Sequence, residues 1–543
     1  MNTESGVALA QINLAVGDIA GNEKRIVEAA VYAREKLDCR VIVFPELAIC
    51  GYPPEDLLFQ AGFVRRCEDA LERIKRSVDD IALVIGYPKS DGGHLYNAAC
   101  VIDRGEIQAT YYKHHLPNYG VFDEKRYFTQ GSQPVVVDID GFKAGITICE
   151  DVWQYGPVER AVESGANVIF ALNGSPFDAD KMAHRENEVI AERAKSNKVS
   201  IVYVNLVGGQ DELVFDGGSV VCDAFGKTVL RAPHFEHSIL RASFKRGEQL
   251  KNIKGQVAPM PETCEAIYRA VVLGTKDYIE KNGFSGAVLG LSGGIDSALT
   301  LAIVTDAIGK ENVQAVLMPS RYTRQISLDD AKQQARALNI RWSQISIEPI
   351  FKAILNQLAD EFQNLPADVT EENIQARCRG TLLMAISNKT GKILVTTGNK
   401  SEVAVGYATL YGDMAGGFAP IKDVPKTLVY RLARYRNETF GAVIPDRVIE
   451  REPSAELAPE QRDTDSLPCY EALDEILRLY VEQDASAKSI IERGFDSEVV
   501  NQVIKMVMRN EYKRRQAPPG VRITTRAFGR DRRFPITNRS AYC

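Results

Sequence analysis

At 543 residues, with 45% hydrophobic and 25% charged side chains, the chain is long enough for several cores and has the make-up of ordinary globular protein, which excludes collagen-like, low-complexity and largely disordered classes. A net charge of −6 leaves no global footprint for nucleic acid, and no apolar run reaches the roughly 18 residues of a membrane span. The ten cysteines are scattered without a C-x-x-C pair and the first residues lack a basic, apolar leader, so the expectation is a soluble cytoplasmic chain with reduced thiols and neither nucleic-acid nor membrane partners.

Short β-type runs alternate with amphipathic stretches through the first 230 residues. The runs are VALAQINL (7–14), RVIVFPEL (40–47), IALVIGYP (81–88), GITIC (145–149), NVIFALNG (167–174) and VSIVYVNLVG (199–208). Helical periodicity marks 22–37 and 181–197, and the alternation predicts an α/β fold. Periodicity weakens over 232–262, so the expected boundaries are a first domain over 1–245, a linker over 246–262 and a second domain over 263–543.

The second half opens with a helix whose apolar residues run from Cys264 to Ile279. Strands at 287–291, 313–319, 344–347 and 392–398 then alternate with helices at 297–308, 327–339, 349–364 and 371–389. Repeated βα units predict a doubly wound parallel sheet. From about 465 to 515 the pattern is helical, and the stretch from Lys513 to Arg539 holds nine basic residues against one acid. That balance suits either a solvated or oligomer-facing surface or a site for an anionic small molecule.

Two constellations carry chemistry. In the first, Cys149 closes an apolar strand in ITICEDVW, a place where a turn can present its sulfur. A free thiol with a pKa of about 8.5 needs help at neutral pH. Glu46 in FPELAICGYPPEDL and Lys113 in YYKHHLPNYGVFDE supply a carboxylate to take the proton and an ammonium to stabilise thiolate and oxyanion. A pairing of the thiol with His114 or His115 is the alternative. In the second, GLSGGIDS (Gly290, Leu291, Ser292, Gly293, Gly294, Ile295, Asp296 and Ser297) lies between a strand and a helix. Its backbone N–H groups can cradle phosphate, yet no lysine follows Gly294, so it is not a Walker A loop. A carboxylate in an anion cradle calls for a divalent cation, so Asp296 is read as a magnesium contact.

The three segments of the first constellation resemble the Glu-Lys-Cys signature of the nitrilase, or carbon-nitrogen hydrolase, superfamily over nearly all of residues 1–240. The resemblance implies an α-β-β-α sandwich that hydrolyses an amide through a thioester, with Glu46 as general base, Lys113 as oxyanion residue and Cys149 as nucleophile. Glu124 matches a second acidic residue of that family, although an exposed glutamate is the simpler reading. SGGxDS resembles the loop of the N-type ATP pyrophosphatases, and segments 396–427, 444–457 and 510–539 look like the NAD synthetase family. A nitrilase domain ahead of such a domain is the arrangement of the glutamine-dependent NAD synthetases.

What this resemblance implies is adenylation of deamido-NAD by ATP with release of pyrophosphate, followed by attack of ammonia freed from glutamine and carried through an internal channel. It also implies Mg2+ and a homo-oligomer. Gly290 to Ser297 and Thr397 would contact ATP, and Asn373, Glu402 and Lys513 would contact deamido-NAD, with Glu402 a second candidate ligand for magnesium. Asn373 and Glu402 could equally cap or coat helices. Tyr119, Ser175 and Lys181 match glutamine contacts, with Arg185 an alternative to Lys181, and Tyr52 either lines the pocket or packs. Other glutamine-fed adenylating ligases and a non-catalytic nucleotide sensor are the competing readings.

Overall fold

The computed structural model describes residues 4–245, 253–363, 365–459 and 461–539. Residues 246–252 of the expected linker and Cys543 lie outside them. The chain divides into two compact units, residues 1–262 and 263–543.

The first unit is built from two six-stranded sheets. One orders Ser238–Lys245, Glu4–Gln11, Val41–Val43, Ala82–Asp91, His94–Asp103 and Glu106–Tyr112. The other orders Thr228–Arg231, Val220–Cys222, Ser200–Asn205, Val168–Asn173, Phe142–Ile148 and Val136–Ile139. Side chains of a strand alternate between faces, and here both faces are covered. Val7, Leu9, Val41, Val43 and Val84 meet Ile146, Ile148, Phe170 and Val202 between the sheets. Ala8, Ala10, Ile42 and Leu83 face outward onto Ile26, Ala30, Phe63 and Leu71 of the helices Ile19–Glu35 and Ala61–Ser77. Ile169, Ala171, Ile201 and Tyr203 turn the other way, onto Val158, Ala161 and Ala194. Burial on both faces explains why the central strands read as continuous apolar runs, and the result is the α-β-β-α sandwich.

Strands of mixed character escaped the periodicity. His94–Asp103 and Thr228–Arg231 carry polar residues, and Ser238–Lys245 falls where the periodicity weakens, yet it pairs antiparallel with Glu4–Gln11. Residues 254–258 are sewn to both sheets: Ser243 bridges to Lys254, Arg231 bridges to Val257, and Arg231 Nη1 donates to Ala258 O at 2.6 Å.

In the second unit four parallel strands run in the order Arg341–Gln344, Val313–Leu317, Ala287–Gly290 and Ile393–Val395. The third expected strand therefore starts three residues earlier than its apolar run. Val288, Val316 and Leu394 pack on Phe351, Ile374 and Leu383 on one face, while helices Thr263–Lys281, Ile295–Ile308 and Lys426–Phe440 pack together against the other. The chain winds outward from Ala287–Gly290 and then returns to its other side, so the loop after this strand opens at the topological switch point, where such sheets bind ligands. A helical group with its own core, including Leu473, Ile476, Val500, Val503 and Phe528, completes the unit.

The basic stretch after Lys513 is largely spent on internal ion pairs: Arg514 and Arg515 with Glu511, Arg522 with Asp531, and Arg526 and Arg532 with Asp484. No described helix is long and apolar enough to cross a membrane.

Candidate active sites

In the first unit the strand Phe142–Ile148 stops at Cys149, whose φ of +47° and ψ of −97° lie outside the regions L-residues favour, and helix Glu150–Trp153 starts at once. Backbone strain of this kind costs on the order of 1–3 kcal/mol and persists where the surroundings enforce it. The enforcement is visible in Asp151, fully buried. Its carboxylate accepts from Ile148 N at 3.1 Å, His115 N at 2.8 Å, His114 N at 3.1 Å and Tyr111 Oη at 2.8 Å. It therefore ties the turn bearing Cys149 to the segment that follows Lys113. Burial raises this carboxyl to about 6, with the hydrogen bonds opposing.

Lys113 and Glu46 are both buried. Lys113 Nζ donates to Glu46 Oε1 at 2.7 Å and to Glu124 Oε1 at 2.8 Å. Glu46 also accepts from Asn97 Nδ2 at 2.7 Å and Gly174 N at 3.0 Å, and Tyr52 Oη donates to Glu124 at 3.0 Å. Nothing in the local pattern calls for burying Glu124, and the exposed reading of it is corrected: it is 6% exposed and lies within the cluster. Burial lifts its carboxyl to about 7, Lys113 opposing and Glu46 adding. Burial works against the charge on Lys113, but Glu124 and Glu46 outweigh it and hold the ammonium well above the usual lysine value. The thiol of Cys149 is pushed well up by burial, further up by Glu46 and down by Lys113, so it rests protonated. Both histidines are engaged elsewhere: the His114 ring meets Gln133 O and Arg160, and burial lowers both imidazoles.

Of the remaining candidates of this half, Tyr119 and Lys181 touch the helix that follows the turn. Tyr119 Oη donates to Glu150 at 2.9 Å, and Ser175 N donates to Asn205 Oδ1 at 2.9 Å. Lys181 lies over the Trp153 ring at 5.1 Å. Arg185 is buried in a two-pronged pair with Asp216, at 2.9 and 2.7 Å.

In the second unit the strand Ala287–Gly290 leads through residues 291–294 into helix Ile295–Ile308. Gly293 has φ +83°, and a Cβ there would stand 2.2 Å from Ser327 O, so only glycine fits. Ser297 Oγ lies 3.0 Å from Ser292 Oγ and donates to Gly294 O at 2.9 Å, which fixes the loop from within. A cavity of about 310 Å³ opens on it, lined by Gly290, Leu291, Ser292, Gly294, Ile295, Asp296, Ser297, Thr397 and Glu402. Gly293, Asn373 and Lys513 are not among its lining residues. Asn373 accepts from Thr409 Oγ1 at 2.8 Å, and Lys513 Nζ donates to Gly406 O and Ala408 O at 2.7 and 2.8 Å.

Asp296 and Glu402 come from distant segments but converge on one point, the ammonium of Lys426, at 2.6 and 3.2 Å. Asn399 Nδ2 donates to Asp296 at 2.8 Å, and Asn399 Oδ1 caps the helix that carries Glu402. Burial raises Glu402 to about 8, with Lys426 opposing and Asp296 adding. Two carboxylates focused on one cation fit a divalent ion that takes its other ligands from phosphate and water. Among the described residues no cluster of three or more acidic, histidine or cysteine ligands exists. Lys426, Arg379, Asp413 and Glu456 also line the cavity and were not singled out from the sequence. Lys426 lies in the IKDVPKT run, but its role depends on a fold contact with Asp296, 130 residues away.

A strand-end thiol beside a buried Glu–Lys–Glu cluster and a phosphate loop at a parallel-sheet switch point define an amide-cleaving, nucleotide-using chain, and comparison with known proteins agrees. The carbon-nitrogen hydrolase family matches residues 6–249 and the NAD synthase family residues 267–517. The chain is 49% identical over 534 residues to a glutamine-dependent NAD(+) synthetase of Acinetobacter baylyi, covering 98% of both, and 44% identical to one from Thermotoga maritima, again covering 98% of both. The solved glutamine-dependent NAD(+) synthetase of Acinetobacter baumannii, in complex with ADP, superposes with a TM-score of 0.80 at 48% identity, covering 98% of this chain and 99% of that one. The chain belongs to the glutamine-dependent NAD(+) synthetases, ligases that form a carbon–nitrogen bond with glutamine as amido donor.

Proposed function

We infer that the first unit hydrolyses glutamine at Cys149 and the second uses the ammonia to convert deamido-NAD to NAD, with ATP cleaved to AMP and pyrophosphate. The observation that carries the reading is the coexistence, in one chain, of the Glu46–Lys113–Glu124 cluster beside the strained Cys149 turn and the GLSGGIDS cavity.

In the first half-reaction Glu46 takes the proton of Cys149, and the thiolate adds to the carboxamide carbon of glutamine. Two of the three ammonium hydrogens of Lys113 are engaged by carboxylates, and the third is available to the developing oxyanion. Collapse of the tetrahedral adduct returns the proton to nitrogen, releases ammonia and leaves a thioester, which water opens to glutamate and the free thiol. Tyr119, Ser175 and Lys181 would hold the amino-acid end of the substrate. Lys181 is preferred to Arg185 for its carboxylate, because both guanidinium prongs of Arg185 are engaged by Asp216.

In the second half-reaction residues 290–297 and Thr397 would hold ATP while Asn373, Glu402 and Lys513 hold deamido-NAD. The nicotinate carboxylate attacks the α-phosphorus, pyrophosphate leaves, and ammonia then displaces AMP. Asp296 and Glu402 would hold Mg2+, which offsets charge on the phosphate oxygens. Lys426, within reach of both carboxylates, would pass its charge to the triphosphate.

Because free ammonia is mostly protonated near neutral pH, the reading includes an enclosed route for it. It also includes a cytoplasmic location, since nine described cysteines are unpaired, and a homo-oligomer, which rests on the family likeness. The test is NAD formation from deamido-NAD and MgATP with glutamine or ammonium as nitrogen source, for the native chain and Cys149→Ala. The variant should lose only the glutamine-driven rate. Absence of NAD formation from both, with another acid adenylated, would refute the acceptor assignment.

A further inference from the structure

To act as a base, Glu46 must stay ionised inside the protein and keep a lone pair for the thiol. Three donors hold it: Lys113 Nζ and Asn97 Nδ2, each 2.7 Å from Oε1, and Gly174 N, 3.0 Å from Oε2. Lys113 is shared with Glu124. Asn97 is a neutral side-chain donor directed at Glu46.

Asn97 lies in the strand His94–Asp103 and is fully buried. Its carbonyl oxygen accepts the backbone N–H of Lys113 at 2.9 Å, so one residue touches the carboxylate through its side chain and the ammonium-bearing residue through its main chain. The amide orientation is forced, because an oxygen turned toward the carboxylate would set two acceptors face to face. Its Oδ1 is buried without a hydrogen-bond partner among the described residues. An orphaned acceptor is costly, and leucine, of similar shape, would avoid that cost. Among the described residues the one side-chain hydrogen bond of this amide is thus the one that Nδ2 donates to Glu46.

We propose that Asn97 is a positioning residue of the glutamine-hydrolysing site, its Nδ2–H favouring the ionised form of Glu46 and fixing Oε1 so that the carboxylate is ready to receive the Cys149 proton. The proposal rests on the reading of Glu46 as the base. The titratable groups that act on or feel Glu46 are Lys113, Glu124, Cys149, Tyr52 and Cys50. Of these only Lys113 is a cation and Glu124 is a like charge, so the Asn97 amide is one of three donors that hold the carboxylate, and its loss removes a hydrogen bond to the charged form.

The experiment follows glutamate release from glutamine against pH, with MgATP and deamido-NAD present, for the full native chain, Asn97→Leu and Glu46→Gln. Glu46→Gln should abolish release. Asn97→Leu should lower kcat/KM roughly tenfold to a hundredfold near neutral pH and move the acidic limb of the profile upward by about one pH unit, with a thermal midpoint near that of the native chain. Asn97→Ser, whose hydroxyl is too short to reach Glu46, carries the same expectation should the leucine variant fold poorly. An unmoved acidic limb alongside an inactive Glu46→Gln overturns the role of Asn97 alone. A Glu46→Gln enzyme that still releases glutamate removes the base and the proposal together.

Discussion

The two sites solve the problem of buried charge in opposite ways. Around Cys149 the ionic side chains are withdrawn from water, with Lys113 and Glu46 at 0% and Glu124 at 7% side-chain exposure, and they satisfy one another. Around the GLSGGIDS loop, Asp296 and Glu402 each keep 18% exposure and face a cavity. A neutral carboxamide brings no charge, so its site must carry a complete, preorganised set of its own. A polyphosphate brings several charges and a cation, so its site must hold groups whose partners can be exchanged. The contrast teaches that the first site is built to stay as it is, and the second to re-pair on binding.

Experiments can break that contrast. The largest effect is expected from Cys149→Ala, with glutamine-driven NAD formation down by about a thousandfold or more and ammonium-driven formation retained. Equal loss of both rates would sink the assignment of separate chemistries. Next comes Lys113→Met, which strands two buried carboxylates and should cost about 3–5 kcal/mol in chemical denaturation. The same change at Lys426 should cost clearly less, because its partners reach solvent, and equal costs would erase the distinction. Asp296→Asn should lower pyrophosphate release roughly a hundredfold with either nitrogen source, measured in a coupled pyrophosphate assay.

The most specific effect is one of pH dependence and concerns Asp216, whose replacement also unpairs the buried Arg185 guanidinium. Although burial opposes its charge, Arg185 and His234 hold its carboxyl below the usual range. A depressed folded value means that its contribution is fully present above the unfolded value of about 4 and fades as pH falls below it. Asp216→Asn should therefore flatten the acid side of the first unit's unfolding curve, followed by thermal melts across acidic buffers. A variant with the native acid profile would show that the Arg185 pair is not linked to stability in this way.

Much of the architecture was legible because burial on both sheet faces leaves unbroken apolar runs, as in NVIFALNG and VSIVYVNLVG, which became the strands Val168–Asn173 and Ser200–Asn205. Strands with a polar face, such as His94–Asp103, left no such trace, and with them went Asn97. Motif residues fixed by local chemistry, Cys149 at a strand end and the glycines of GLSGGIDS, announced themselves. Residues that matter through a distant partner did not: the burial of Glu124 depends on Tyr52 and Lys113, and the place of Lys426 on Asp296. The fork from Arg185 to Asp216 likewise needed the fold before Lys181 could be preferred.

The seam formed by residues 254–258 has a consequence for dividing the chain. It runs along the outer strands of both sheets, Ser238–Lys245 and Thr228–Arg231. A fragment cut at 245 would lose it and leave two strand borders open to other molecules, the usual route to self-association. A fragment cut at 262 would keep both borders covered, so aggregation in the shorter piece and not in the longer would trace to a few residues that look like a mere connector.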